Sequence, residues 1–356
     1  MTVMPLKSDH HHANVLKVGY LPLVDSISLL WAEHHGYFTA ENLCVELVQE
    51  TSWATLRDRL AFGILQAAHC LSPIVASACS TADDIGIAMR TALVLSHNTA
   101  KISLKAELYD ELGIQASDLP HQSAAKFVAK AKQTSQKLAQ VFPASLHHFT
   151  LREWLRLTDQ DFAHQYKLSS LPPNYMLDAM LQGTIDGCCV GEPWNSVGAT
   201  KRISKVVCRS QDVIPSIADK VLAVTSEWAD AEQASHQALI RALMKAQRDL
   251  AKTENSVAAY QLLQQFGIID SALDHTIDHA LGSVPNSASL QADVKALIVQ
   301  IHQQNMQPKA TDFDWILSQL KAWLHADLDA GKFQDYSLQC IDLASYQQVL
   351  SELNQA

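Results

Sequence analysis

Apolar runs alternate with stretches of helical periodicity between Val15 and Cys79. The pattern predicts strand, helix, strand, helix, then a strand end followed by a short helix. These elements are carried in turn by VLKVGYLPLV, DSISLLWAEHHGYF, CVELVQE, SWATLRDRLAFGILQAAH and AAHCLSPIVASAC. Strands that alternate with helices in this way are typical of a parallel α/β sheet.

Both helices have residues that recur at helical spacing and recognisable ends. The first is expected to end at Gly36, because glycine readily adopts the left-handed conformation after a helix. Its recurring positions are Ile27, Leu30, Trp31 and His34. The second is expected to begin after Ser52, whose hydroxyl can cap the free N–H groups of the first turn. Its apolar face comprises Trp53, Leu56, Leu60 and Ile64.

A second α/β unit is predicted from the segments ALVLSHNTAKISLKAELYDEL, SAAKFVAKAKQTSQKLAQ, VFPASLHHFTLREWLRL and NYMLDAMLQGTIDGCCVGEPWN. The strand KVLAVTSEWA is expected to return to the first unit, and the chain from Ala231 onward is predicted to be mostly helical. We therefore predict an α/β clamshell of two lobes around a central ligand cleft, with a helical C-terminal region. Lobe 1 is assigned to residues 15–95 and 206–356, lobe 2 to residues 96–205, and residues 1–14 to a flexible tail.

Composition narrows the range of possible functions. The 356 residues are 48% hydrophobic and carry a net charge of −10 without a basic cluster, which argues against direct nucleic-acid binding. A small anion needs only one local cation and a few N–H groups. Seven cysteines without a CxxC motif, and a start without a signal-peptide pattern, favour reduced thiols and a cytoplasmic location. We expect no membrane span, because no run of about 18 apolar residues occurs.

The segment GCCVGEPWN is the most informative local motif. Cys188 and Cys189 point to opposite faces of a strand, so we interpret them as packing residues rather than metal ligands. Gly191 follows at the carboxyl end of that strand, where α/β sheets bind ligands, and its backbone can approach a ligand closely. An ordinary turn from strand to helix is the alternative. No metal and no cofactor are predicted.

Histidines offer one further candidate. His147 lies where a helix is predicted to begin and can donate to an anion, although a satisfied structural histidine is the alternative. We interpret His34, His35 and His69 as structural. The chain contains no HExxH, GxSxG, Walker A or GxGxxG motif, so a catalytic role is not expected.

Taken together, the segments between Val15 and Trp228 resemble the nitrate- and bicarbonate-binding proteins of ABC transporters. The resemblance is carried by the opening VGYLPLVDSISLLWAEHHGYF and by VFPASLHHFTLREWL, IDGCCVGEPWN and DKVLAVTSEW. It implies the type II periplasmic-binding-protein clamshell. The cytoplasmic branch of this family senses nitrate and nitrite and holds an RNA-binding antiterminator inactive until the anion binds. The missing signal pattern favours this branch, which implies nitrate or nitrite as ligand and an antiterminator as partner.

The resemblance also implies an anion site between the lobes. Trp53 in TSWATLRD, His147 in SLHHF, Gly191 in VGEPW and Lys220 in DKVLAV match the family's tryptophan, histidine, glycine and lysine. A lysine at position 220 argues against the calcium ion of the bicarbonate-binding members, because its ammonium would repel that ion.

One segment departs from the family pattern. NTAKIS has Thr99 where the family has glycine and Ala100 where it has a glutamine or asparagine donor. Lys101 is new in this segment, and Asn98 or His97 is a candidate replacement for that lost donor. The segment thereby leaves the identity of the ligand open.

Three other functions fit parts of the pattern. The nearest is a transporter receptor for another small solute, such as an oxyanion, a sulfonate or a pyrimidine. An enzyme of the pyrimidine-synthesis kind shares the clamshell, but it would need a reactive histidine or lysine and a cysteine-rich active-site run, which we do not find. A protein partner that has lost ligand binding is the third.

Overall fold

The computed structural model describes residues 15–80, 83, 85–269 and 287–355. Its strands are β1 Leu16–Tyr20, β2 Val45–Gln49, β3 Ala67–Leu71, β4 Met89–His97, β5 Lys101–Lys105, β6 Leu138–Gln140, β7 Ser169–Ser170, β8 Gly187–Val190, β9 Ser204–Arg209 and β10 Ala218–Thr225. Its helices are α1 Ile27–His34, α2 Tyr37–Ala40, α3 Trp53–Ala61, α4 Ser72–Cys79, α5 Ala106–Glu111, α6 Pro120–Ala131, α7 Leu146–Arg156, α8 Gln160–Gln165, α9 Met176–Leu181, α10 Trp194–Thr200, α11 Ser226–Ala231, α12 Gln233–Leu250, α13 Ser256–Gln265, α14 Ser287–His302, α15 Ala310–Leu324, α16 Phe333–Cys340 and α17 Leu343–Gln355.

The strands form two five-stranded sheets, one in each lobe. The first sheet has the order β2-β1-β3-β10-β4, and the second has the order β7-β6-β8-β5-β9. In the first sheet, β1 pairs in parallel with β2 and β3, whereas β10 runs antiparallel to β3 and β4. The predicted return of KVLAVTSEWA to the first lobe is confirmed, because this segment is β10. The predicted α/β clamshell is confirmed as well.

Two connections link the sheets. The chain passes to the second sheet between His97 and Lys101 and returns between Arg209 and Ala218. The lobe boundaries predicted after residues 95 and 205 fall within β4 and β9, because each strand continues beyond the predicted boundary. A backbone hydrogen bond from Val24 N to Glu192 O, 2.9 Å long, also joins the lobes.

Helix α3 begins as predicted and ends earlier than predicted. The Ser52 hydroxyl accepts a hydrogen bond from Thr55 N, and Trp53 is fully buried. Ile64 was assigned to the same apolar face, but this prediction is wrong: its side chain is 50% exposed. The reason is local, since α3 ends at Ala61 and Gly63 then takes a φ of 72° that turns the chain away from the helix.

One strand of the second lobe lies at a different position from the one predicted. The helix expected through SAAKFVAKAKQTSQKLAQ ends at Ala131, and the last three residues of that segment form β6. The strand that was expected at VFPASL therefore forms at Leu138–Gln140, just before that segment. Leu138 is fully buried and pairs with Gly187, so burial against the neighbouring strand outweighs the helical periodicity of this segment.

The C-terminal helices pack around the first lobe. Helix α12 contacts α1, α15 contacts α4, and α14 contacts β4 and the short turn Val24–Ser26. The amphipathic segment of α12 buries its apolar side chains, as core packing predicts. Among the described residues, no helix is both long and apolar enough to cross a membrane.

Candidate functional site

A buried lysine lies at the centre of the candidate site. Lys220 of β10 has no solvent-exposed surface, and its Nζ lies 2.8 Å from Asp219 Oδ2 and 3.3 Å from Asp25 Oδ2. Burial alone would lower the pKa of Lys220, but the carboxylates of Asp219 and Asp25 outweigh burial and raise it. Lys220 is therefore a fully desolvated ammonium group.

A strand irregularity brings Asp219 to this ammonium. Successive side chains of a regular strand point to opposite faces, so Asp219 and Lys220 would normally diverge. The pairing of β10 with β4 is irregular between Ala218 and Lys220, which pair with the adjacent residues His97 and Ser96. An irregularity of this kind redirects a side chain, and here both side chains reach one ion pair.

Asp25 connects the ammonium to the rest of the first lobe. Its Oδ2 accepts hydrogen bonds from Ser96 Oγ at 3.1 Å and from Thr99 Oγ1 at 3.0 Å. Burial would raise the pKa of Asp25, but Lys220, His69 and the two hydroxyl groups together lower it to about 2. Asp25 is therefore an ionised carboxylate in a buried setting.

His69 and Trp53 border this ion pair. His69 Nε2 lies 3.4 Å from Asp25 Oδ1, and its ring centroid lies 6.3 Å from that of Trp53. The Trp53 ring lies 5.8 Å from Lys220 Nζ, and its Nε1 has no hydrogen-bond partner among the residues that the structure describes. Burial lowers the pKa of His69 to about 4 despite the nearby Asp25, so its imidazole is neutral at pH 7. We refer to Asp25, His69, Asp219 and Lys220 as the charged cluster.

His147 faces this cluster from the second lobe. It lies in the first turn of α7, where the Ser145 hydroxyl accepts a hydrogen bond from His148 N. The side chain is buried, and neither ring nitrogen is hydrogen-bonded within the described part of the chain. Burial, followed by the charge of Lys220, lowers the pKa of His147 well below its usual value. A neutral imidazole with free nitrogens is therefore held close to a buried ammonium.

Gly191 completes the contact between the lobes. It follows β8, and a methyl group added to it would lie 3.7 Å from Leu23 Cδ2 of the first lobe, an ordinary van der Waals distance. There is therefore room for a larger side chain at position 191. Glu192, the next residue, accepts a hydrogen bond from Ser196 N at 3.0 Å and precedes Pro193 through a cis peptide bond.

The side chains of Asn98 and Lys101 are engaged outside the charged cluster. Asn98 accepts a hydrogen bond from Ile217 N at 2.9 Å and donates one to Pro215 O at 2.7 Å, so its amide holds the returning connection. Lys101 Nζ pairs with Glu192 Oε1 at 2.6 Å and lines a cavity of about 370 Å³ that Asn98 and Thr99 also line. Contact of Asn98 and Lys101 with a ligand therefore stays a prediction.

The structure thus brings together three sequence candidates, Trp53, His147 and Lys220, and places Gly191 against Leu23 at the junction of the lobes. Their contact with a ligand stays a prediction. Sequence reasoning missed Asp25, Ser96, Thr99 and Asp219, and it interpreted His69 as structural. The signal that could have identified Asp25 and Asp219 is a charged residue next to or within an apolar run, as in PLVDS and ADKVLAV.

The cysteines take no part in this site. Cys188 and Cys189 are buried in β8, and all seven cysteines of the chain are free. Burial raises the pKa of Cys188 to about 12, which keeps its thiol protonated and unreactive. The interpretation of Cys188 and Cys189 as packing residues is confirmed. Within residues 15–80, 83, 85–269 and 287–355, no group of three or more potential ligands is arranged to hold a metal ion.

Comparison with known proteins relates this architecture to binding proteins. The model of the NMT1-like family matches residues 9–264. The chain is 28% identical over 318 residues to the nitrate import ATP-binding protein NrtC of Synechocystis, covering 88% of this chain and 46% of that protein. It is 27% identical over 273 residues to the nitrate/nitrite binding protein NrtA of Nostoc, covering 75% and 61%. The chain thus spans about half the length of the curated relatives it matches.

Solved structures agree on the fold. The periplasmic nitrate-binding protein NrtA from Synechocystis superposes with a TM-score of 0.80 at 20% identity, covering 96% of this chain and 89% of that one. The aliphatic sulphonate binding protein SsuA from Escherichia coli superposes with a TM-score of 0.59 at 15% identity, covering 91% and 99%. Homologues such as NrtA are substrate-binding proteins of ABC transporters, not enzymes, which agrees with the expectation of a non-catalytic role. The chain belongs to the NMT1-like family and is homologous to the nitrate- and bicarbonate-binding proteins of ABC transporters.

Proposed function

We propose that this chain is a cytoplasmic solute-binding sensor that encloses nitrate or nitrite between its lobes. Binding of the anion is proposed to stabilise the closed arrangement and so to control a partner protein, an RNA-binding antiterminator. The nitrate/nitrite binding protein NrtA of Nostoc supports the ligand class. The cytoplasmic location and the partner rest on the resemblance described above.

The observation that carries the ligand class is the junction of the two lobes. Lys220 and Trp53 from the first lobe and His147 from the second are all buried there. Lys220 supplies a positive charge, while Trp53 Nε1 and the ring nitrogens of His147 have no hydrogen-bond partner in the described residues. A planar monoanion can accept hydrogen bonds from an indole N–H, an imidazole N–H and an ammonium at the same time.

Closure provides the route to regulation. Because the site residues have almost no exposed surface, a ligand reaches them only when the lobes separate. An anion that contacts both Lys220 and His147 binds the closed arrangement more tightly than the open one and therefore shifts the population toward closure. A partner that recognises one arrangement would then respond to the anion with the same coupling free energy.

A second candidate ligand is favoured by two carboxylate oxygens. Asp25 Oδ1 and Asp219 Oδ1 are buried, and neither is hydrogen-bonded to any residue that the structure describes. Nitrate has no hydrogen to donate to them, whereas bicarbonate carries an O–H. A transporter receptor for bicarbonate is therefore the second candidate function, and bicarbonate transport is the named role of one relative, CmpC of Synechococcus elongatus.

Ligand binding is tested by thermal-shift titration and calorimetry of the full chain. The panel comprises nitrate, nitrite, bicarbonate with and without calcium, sulfate and a sulfonate. A ligand at 100 times its Kd stabilises the folded state by about 2.7 kcal/mol. A shift with nitrate or nitrite alone supports the sensor, and a shift with bicarbonate alone supports the receptor. A folded sample that responds to none of them contradicts both functions.

Regulation needs a separate experiment. The chain and the antiterminator are mixed, and complex formation is followed by analytical ultracentrifugation with and without nitrate. We expect nitrate to dissociate the complex and to have no effect on a complex of the His147→Gln variant. A complex that is equally stable with and without nitrate would contradict the regulatory part of the proposal.

A further inference from the structure

The charged cluster contains more negative than positive charge. Two carboxylates, Asp25 and Asp219, surround one ammonium, Lys220, so these three groups together carry a net charge of −1. All three have at most 3% of their surface exposed. A charge in such a setting is weakly screened, so a second uncompensated negative charge is strongly unfavourable there.

Binding of a monoanion would double this excess. The ammonium of Lys220 already neutralises one of its two carboxylates, so a nitrate ion placed beside it faces the remaining negative charge. Like charges at short distance in a poorly hydrated site favour uptake of a proton by a neighbouring group. The site therefore needs a group that is neutral before the anion arrives and can become positive afterwards.

His69 satisfies this requirement by its position. Its Nε2 lies 3.4 Å from Asp25 Oδ1, close enough for an imidazolium N–H to form a charge-assisted hydrogen bond after a small movement. Neither His69 ring nitrogen has a well-formed hydrogen bond within the described ranges, and the nearby backbone of Asp25 favours the protonated ring. We propose that the anion binds together with one proton from solvent, and that His69 is the residue that takes up this proton.

The charges around His69 determine whether anion binding favours or opposes its protonation. Asp25 of the turn Val24–Ser26 and Asp219 of β10 favour the imidazolium, whereas Lys220 of β10 opposes it. Helix α3 faces His69 with the uncharged Trp53 ring, β1 pairs with β3 at Val18 and Gly19, and α4 has no charged residue in its sequence. An anion beside Lys220 offsets the only opposing charge among these groups, so it promotes protonation of His69.

Three other histidines face the cluster, and all are less suited to hold the proton. His97 of β4 faces Asp219, but burial and the charge of Lys309 oppose its protonation. His147 of α7 lies in the other lobe, and burial, followed by the charge of Lys220, opposes its protonation. His302 of α14 faces Asp25, but its Nδ1 already lies 2.7 Å from Ile298 O. Among these four histidines, His69 alone lies within ion-pair distance of Asp25 in the described structure.

Calorimetry of the full chain tests the inference, which rests on the proposed function because it needs an anion that binds. Nitrate is titrated between pH 6 and 8 in pairs of buffers that differ in ionisation enthalpy, which gives the number of protons taken up. We expect between about 0.5 and 1 proton per nitrate at pH 6.5 and an affinity that rises about three- to tenfold for each unit of pH decrease.

A matched pair of variants assigns the proton. His69→Asn should abolish proton uptake and lower the affinity for nitrate at pH 6.5 at least about tenfold, with little change at pH 8. His236→Asn is the control, because His236 is also buried with its pKa lowered to about 4 but faces Asp342 and Arg90 instead of the charged cluster. The control should keep the full proton uptake of the unmodified chain.

The outcomes separate this inference from the proposed function. Absence of nitrate and nitrite binding at every pH overturns both. Nitrate binding without proton uptake, or with an affinity that depends on calcium or sodium instead of pH, overturns only the inference. Proton uptake that survives His69→Asn overturns the assignment to His69. If that variant does not fold, the two-buffer measurement on the unmodified chain still decides whether a proton is taken up.

Discussion

At the scale of single residues, the site depends on how Lys220 is neutralised. A buried ammonium is stable only with close partners, and here Asp219 and Asp25 provide them. The same contacts restrict what an anion can gain from Lys220, because the positive charge is already shared. Substitution of Lys220 therefore affects both ligand binding and folding, and the two effects must be measured separately.

Lys220→Met is expected to abolish anion binding and to reduce the free energy of unfolding by about 3–5 kcal/mol, because it leaves two buried carboxylates without their cation. The double variant Lys220→Met/Asp219→Asn should recover most of that stability, since Asp25 keeps its bonds to Ser96 and Thr99. Urea denaturation measures the stability, and calorimetry measures the binding. Nitrate binding that persists in the stable double variant would contradict the assignment of Lys220.

At the scale of elements, the end of β8 lies where the second lobe contacts the first. One glycine is the first residue of this strand and another follows its last residue, and the two have different surroundings. Gly187 lies in the sheet, where a Cβ would come within 2.5 Å of Leu104 Cδ2 and 2.8 Å of the backbone oxygen of Ser103. Gly191 lies beyond the strand end, where a Cβ would meet only Leu23 at 3.7 Å and 3.8 Å. Packing therefore requires a glycine at position 187 and tolerates a methyl group at position 191.

This difference gives a matched test of the strand. Gly187→Ala should lower the free energy of unfolding by about 1–3 kcal/mol, because the strand must shift to accommodate the methyl group. Gly191→Ala should change it by less than about 0.5 kcal/mol. Thermal and urea unfolding of the two variants provide the comparison. Equal destabilisation by both substitutions would show that the strand end is packed as tightly as the sheet.

At the scale of the whole molecule, several different elements contain a buried, neutral histidine. Burial lowers the pKa to about 4 in His69, His97, His236 and His302. The ordinary value near 6.5 applies to the unfolded chain, so between about pH 4 and 6.5 the unfolded chain binds more protons than the folded one. The stability from these neutral side chains is complete above pH 6.5 and is lost as the pH falls toward 4.

The free energy of unfolding should therefore decrease between pH 7 and pH 5. Each such histidine contributes up to about 1.4 kcal/mol per pH unit within its window, so we expect a total loss above about 2 kcal/mol. Urea denaturation at both pH values measures it, and the decrease should be smaller in His236→Asn. Since Asp25 has a pKa of about 2, its own contribution is lost only at lower pH. Equal stability at pH 5 and pH 7 would contradict the prediction.

Local patterns in the sequence determined the elements and several of their ends. The strand and helix order of the first lobe, the cap at Ser52 and the position of Gly191 after a strand all follow from interactions between residues a few positions apart. Such short-range preferences are encoded directly in neighbouring side chains. The resemblance to a known family then supplied Trp53 and Lys220 as candidates and added to the case for His147.

Only the tertiary structure decided what surrounds Lys220. Asp25 lies 195 positions away in the chain, and His69 reaches the same cluster from a third element. Asp219 is adjacent in sequence, yet its side chain joins the ion pair only because the pairing of β10 with β4 is irregular. In the sequence, Thr99 occupies a position where the family has glycine. In the structure, its hydroxyl donates a hydrogen bond to Asp25. Ion pairs and burial act through space, so a pattern read along the chain cannot reveal which distant groups share a desolvated site.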